Sequence, residues 1–109
     1  MTLKQNKIAW SDLVSVKTKE VLSHHGELIS VTKQGLTVQS KKEFLNISEN
    51  DFCKFLNRPV ELFLSQYEIS FYGIIKKVNL IRRNIFEIKI SFTEDTPIYY
   101  RECVTDLLN

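Results

Sequence analysis

Apolar and polar residues alternate most cleanly over Ile85–Phe92, where Phe86, Ile88, Ile90 and Phe92 share one face and Glu87, Lys89 and Ser91 take the other. Successive side chains of a strand point to opposite faces, so this run predicts a half-buried β-strand. Upstream, residues 68–80 (EISFYGIIKKVNL) are rich in β-branched and aromatic types and predict a second strand. The link Ile81-Arg82-Arg83-Asn84 should close the two into an antiparallel hairpin, with Asn84 suited to the positive φ of a tight turn. Gly73 is a poor strand former, and its place inside the first strand predicts a bulge or sharp bend.

The pattern extends in both directions. Pro59–Leu64 (PVELFL) sets Val60, Leu62 and Leu64 on one side of a shorter strand. Residues 12–20, 26–32 and 36–40 each look extended, separated by Ser23-His24-His25-Gly26 and Lys33-Gln34-Gly35 as turn chemistry. Six short strands at this spacing predict a mainly β fold, a small six-stranded antiparallel β-barrel. Two helical patterns interrupt it. Over residues 48–56, Ser48 is an N-cap, Asp51 holds the capping-box position, and Phe52, Phe55 and Leu56 share a face. Towards the C-terminus, Thr96 caps a helix beginning at Pro97, with Tyr100, Val104, Leu107 and Leu108 as its apolar stripe. Residues 1–11 read as a tail and 12–109 as one domain.

Composition adds limits. A 43% hydrophobic fraction in 109 residues supplies enough apolar surface for a folded core without a metal or disulfide staple. The net charge of +2 is spread along the chain and singles out neither nucleic acid nor membrane as a partner. No window approaches eighteen apolar residues and the first ten residues lack a signal-peptide core, so a cytoplasmic protein with no membrane insertion is expected. Cys53 and Cys103 lack C-x-x-C spacing and read as reduced, buried thiols.

Candidate chemistry is sparse. His24 and His25 are neighbours whose rings point apart on a strand, which suits a solvated turn better than a metal site. No nucleophile motif places a Ser or Cys beside a His and a carboxylate, so no catalytic residue, enzyme activity or cofactor is expected. Glu94-Asp95 precedes the C-terminal helix, where negative charge favours the helix dipole. Arg82-Arg83, with Lys76-Lys77, makes a basic hairpin end that reads first as a wet surface. Phe71, Tyr72, Phe86 and Phe92 sit in strongly patterned strands where burial is the default, so nucleic acid binding is not favoured.

The order of elements around Ser30-Val31-Thr32-Lys33-Gln34-Gly35, followed by Leu36-Thr37-Val38, resembles the PilZ domain family over roughly residues 12–108. In that family a (D/N)-x-S-x-x-G motif joins two strands, and YGIIKKVN and FEIKISF here look like its later strands. The resemblance implies a regulatory domain whose ligand is cyclic di-GMP, held by an R-x-x-x-R pair together with that motif. Here Ser30 stands where Asp or Asn is expected, Thr32 stands for the serine, Gly35 is unchanged, and no arginine precedes Arg58. Two missing guanidinium contacts cost roughly 3 to 6 kcal/mol, or about two to four decades of affinity. Lysine has no planar fork to replace them.

Weak or no cyclic di-GMP binding is therefore expected, with function through contact with another protein in signalling or type IV pilus-like motility. Two competing readings follow. One is a genuine cyclic di-GMP receptor that uses Lys17, Lys19, Arg82 or Arg83 beside Ser30, Thr32 and Gly35. The other is an unrelated small β-barrel that binds nucleic acid.

Overall fold

The computed structural model describes residues 8–93 together with Ile98, Tyr99, Glu102 and Asp106. Its strands are β1 (Ile8–Trp10), β2 (Asp12–Ser15), β3 (Val21–Ser23), β4 (Gly26–Val31), β5 (Gly35–Lys41), β6 (Pro59–Leu64), β7 (Ile69–Arg82) and β8 (Ile85–Phe92). They form one antiparallel sheet in the order β1-β4-β5-β8-β7-β6-β2-β3. The fold is mainly β, but the expected six-stranded barrel is corrected, among the described residues, to eight strands in a sheet with two ends.

Two local events make the difference. The predicted tail contributes β1, because Ile8 and Trp10 alternate around Ala9 and are buried. The predicted strand over residues 12–20 breaks after Ser15, where the Lys19 N–H donates to the Ser15 carbonyl at 2.9 Å. Lys19 takes φ 63°, the left-handed conformation that reverses a chain, and Val21–Ser23 returns alongside β2.

Ser11 alone separates β1 from β2, yet those strands lie at nearly opposite ends of the ladder. Trp10 pairs with Gly26 of β4, while Asp12 pairs with Phe63 of β6. The Ser11 N–H donates to the Phe63 carbonyl at 2.8 Å. A two-residue step spans about 7 Å, so the covalent chain holds the two sides of the sheet together and the sheet must roll. Inside the roll, Trp10, Leu13, Leu28, Leu62, Ile75 and Ile88 are fully buried.

Close approach of neighbouring strands explains the glycines. A Cβ on Gly26 would meet the Trp10 indole and the Gln39 carbonyl, and one on Gly73 would meet Ile90 and the Ser91 carbonyl. Gly73 does not mark a bulge. It pairs regularly with Val60 and Phe92, and the irregularities of β7 fall between Ile75 and Lys77 and between Leu80 and Arg82. The β7–β8 turn is Arg83-Asn84, without the positive φ expected at Asn84; among the described residues other than glycine, positive φ occurs at Lys19, Asn57 and Glu68.

The predicted first helix is shorter than expected: α1 (Glu49–Phe52) passes into a 3₁₀ turn at Cys53–Phe55. Ser48 caps it as expected, its hydroxyl accepting from the Asp51 N–H at 3.2 Å. A hydrogen bond from Lys54, then one from Ser48, hold the Asp51 carboxyl below its ordinary value. Phe52 plugs the core, with Phe55 and Leu56 half-buried against it. Cys53, expected to be buried, is an exposed free thiol, because it follows Phe52 onto the outer side of the turn.

The free side of β3 is covered by residues 44–46. His24 donates its N–H to the Phe44 carbonyl at 3.0 Å, and the Asn46 N–H and amide reach the Leu22 and Val21 carbonyls at 2.9 and 3.1 Å. For the expected C-terminal helix, Ile98, Tyr99, Glu102 and Asp106 have helical backbone and are exposed. Glu94, Asp95, Thr96, Pro97, Tyr100, Cys103, Val104, Leu107 and Leu108 lie outside the described residues.

Gly26→Ala should destabilise the fold by about 3 kcal/mol, the upper end of overpacking penalties, because neither the indole nor the carbonyl can withdraw from a joined sheet. Urea unfolding followed by Trp10 fluorescence measures it, and a loss near zero contradicts the packing described.

Candidate binding surface

The stretch singled out at residues 30–35 is the β4–β5 connection. Its tightest element is a turn closed on itself: the Thr32 N–H donates to the Gly35 carbonyl at 2.8 Å. The Thr32 hydroxyl accepts from the N–H groups of Gln34 and Gly35 at 3.2 and 3.3 Å, and lies 3.4 Å from the Gly35 carbonyl. Short hydroxyl side chains commonly close turns in this way, in competition with any ligand. The Gln34 carbonyl then accepts from the Phe92 N–H at 2.8 Å and ties the turn to β8. Gly35 is buried without positive φ, and a Cβ there would collide with the Ile90 carbonyl. Its glycine is therefore set by the approach of β8.

Ser30 sits apart from that turn's bonds. A register irregularity between Leu28 and Ser30 places Ile29 as an extra residue. Without it, alternation from Gly26 and Leu28 would send Ser30 into the core; with it, Ser30 is exposed and Val31 packs against the interior.

The predicted basic contacts do not gather around this stretch. Lys17 and Lys19 lie exposed in the β2–β3 turn. Arg82 and Arg83 lie exposed at the β7–β8 turn, beside Ile85, whereas Gly35 pairs with Ser91 at the other end of β8. The six-residue separation along the ladder is about 20 Å. A groove of about 250 Å³ runs past the turn, lined by Thr32, Gln34, Gly35, Thr37, Lys89 and Ser91 among others. Its cation is Lys89, a residue sequence reasoning passed over.

Cross-strand register explains why. Ser30 pairs with Thr37, Thr37 with Lys89, and Lys89 with Lys77. These four make one row across the outer face of β4, β5, β8 and β7, with Val38 and Ile88 buried on the inner face. The irregularity between Ile75 and Lys77 does for Lys77 what Ile29 does for Ser30, turning it outward. Nothing within any one strand signals this row; it exists only through pairing.

A second concavity, about 320 Å³, is lined by His25, Glu27, Gln39, Lys41, Phe44 and Ile85 among others. The His25 ring meets Phe44 edge-on at 5.1 Å, while His24 approaches Asp12 at 3.9 Å, so the adjacent histidines serve different neighbours. Beneath the pocket, the buried Ser40 hydroxyl donates to the His25 carbonyl at 2.8 Å and contacts Ser23 at 2.7 Å. Among the described residues, no group of three or more His, Cys, Asp or Glu side chains could hold a metal ion, and no helix is long and apolar enough to cross a membrane.

Comparison with family models, curated proteins and solved structures gives no match for this chain.

Thr32→Ala should cost about 1 kcal/mol of stability, the net worth of a typical lost hydrogen bond, and Thr32→Ser should retain most of it. Chemical unfolding of both variants reads the difference; equal losses would show that the hydroxyl does not hold the turn.

Proposed function

We propose that the chain is a non-enzymatic, PilZ-like regulatory or adaptor domain of the cytoplasm. It acts through contact with another protein, in signalling or type IV pilus-like motility, and binds cyclic di-GMP weakly or not at all. The observation that carries this reading is the engagement of the Thr32 hydroxyl by its own turn. Thr32 is the nearest counterpart of the family's ligand-binding serine, and its acceptor capacity is directed at the backbone of Gln34 and Gly35.

Two further features support it. Lys17, Lys19, Arg82 and Arg83 are absent from the groove beside Thr32–Gly35, so none supplies there what the missing arginine pair would. Exposed apolar side chains offer contact surface: Leu80 and Ile81, 52% and 41% accessible, adjoin Arg82 and Arg83 at the end of β7. Large apolar residues on a charged rim are the usual makings of a protein contact.

Calorimetric titration of cyclic di-GMP into the full chain tests the ligand side of the proposal. The expected result is no saturable heat. A sub-micromolar Kd would overturn it, and loss of that binding in Thr32→Ala would favour the receptor reading.

A further inference from the structure

The outer-face row of Ser30, Thr37, Lys89 and Lys77 presents an electrostatic cost without a visible structural return. Like charges directly opposite on neighbouring strands repel, and Lys77 and Lys89 are so placed. Both are exposed, and neither has an ion pair among the described residues. The next outward row carries Glu27, Gln39, Glu87 and Asn79, so Glu87 lies one step along the strands while the two ammonium groups share a rung.

Two bulges are needed to assemble the row. Restoring regular alternation at either Ile29 or Lys76 would turn Ser30 or Lys77 inward, and both breaks occur at this level of the sheet. Bulges are common where a side chain must be re-aimed for function. The two middle members of the row, Thr37 and Lys89, also line the groove beside the β4–β5 turn, which supplies a concave wall at Lys89. From Ser30 to Lys77 it crosses three strand spacings, about 14 Å.

We propose that this row binds a small, soluble phosphate monoester or polyphosphate, whose terminal phosphate carries more than the single charge of a phosphodiester. Lys77 and Lys89 share its negative charge, and the Thr37 and Ser30 hydroxyls donate to its outer oxygens. Two ammonium groups on one rung bring together cations that an oxyanion satisfies jointly, and the exposed position keeps them open to solvent. The site goes beyond the adaptor reading and uses none of the partner contacts that reading needs.

Inorganic pyrophosphate titrated into the full chain, with chloride at equal ionic strength as reference, is the direct probe. Expected are a saturable shift of the Lys89 and Thr37 amide resonances and a rise in Tm. Lys77→Ala and Lys89→Ala should each weaken binding about tenfold, as for loss of one charge-assisted contact. Lys17→Ala removes the same charge from a remote turn and should leave the affinity unchanged. Lys77→Glu should raise the Tm of the ligand-free chain while abolishing the response, a pairing of effects that a purely structural lysine would not give. Equal weakening in Lys17→Ala and Lys77→Ala, no response to pyrophosphate, or binding confined to phosphatidylglycerol vesicles would each overturn the proposal.

Discussion

The step across Ser11 constrains everything else in the molecule. One residue separates a strand paired to β4 from a strand paired to β6, and the rest of the ladder must run the long way round between them. A flat sheet cannot satisfy both pairings, because its far strands would be several strand spacings apart. Trp10 lies on its cross-strand partner Gly26, and rolling encloses the apolar faces of both halves. Gly26, Gly35 and Gly73 stand where a Cβ would strike the neighbouring strand, so the glycines answer to strand approach, and none has positive φ.

Much of the architecture is legible in local pattern. The alternation of Ile85–Phe92 and the apolar positions of Pro59–Leu64 map directly onto buried faces, as does the Ser48 cap onto α1. What escapes is non-local. Ile8–Trp10 and Val21–Ser23 are too short to show a period of their own, and each becomes a strand only by pairing, the first with β4 and the second with β2 after the chain reverses at Lys19. The bulges at Ile29 and Lys76 are invisible to alternation because they are breaks in it, and they reverse the orientation of the residues that follow. For the same reason Gly73 looked like the bend in β7 while the true irregularities lie closer to the hairpin end.

The candidate site divides along the same line. Ser30, Thr32 and Gly35 are recognisable as a unit because they are contiguous, and the structure keeps them together as a strand connection. Their chemistry diverges: Thr32 serves the turn, Gly35 admits β8, and Ser30 joins a row on the outer face. Lys89 and Lys77 enter that row from strands read as ordinary hairpin, since cross-strand register has no linear signature. Arg82 and Arg83, the more conspicuous basic pair, remain at the distant end of the ladder beside exposed Leu80 and Ile81.

The cover over β3 bears on how copies of this protein meet one another. A sheet with ends normally offers unpaired N–H and C=O groups on which a second chain can template, the starting point for edge-to-edge aggregation. Here residues 44–46 already occupy the carbonyls of Val21 and Leu22 and the N–H of His24. At the other end, β1 is drawn alongside β6. The sheet thus obtains by side-chain and loop bonding much of the protection against runaway polymerisation that a fully closed cylinder would have, while its ladder remains open.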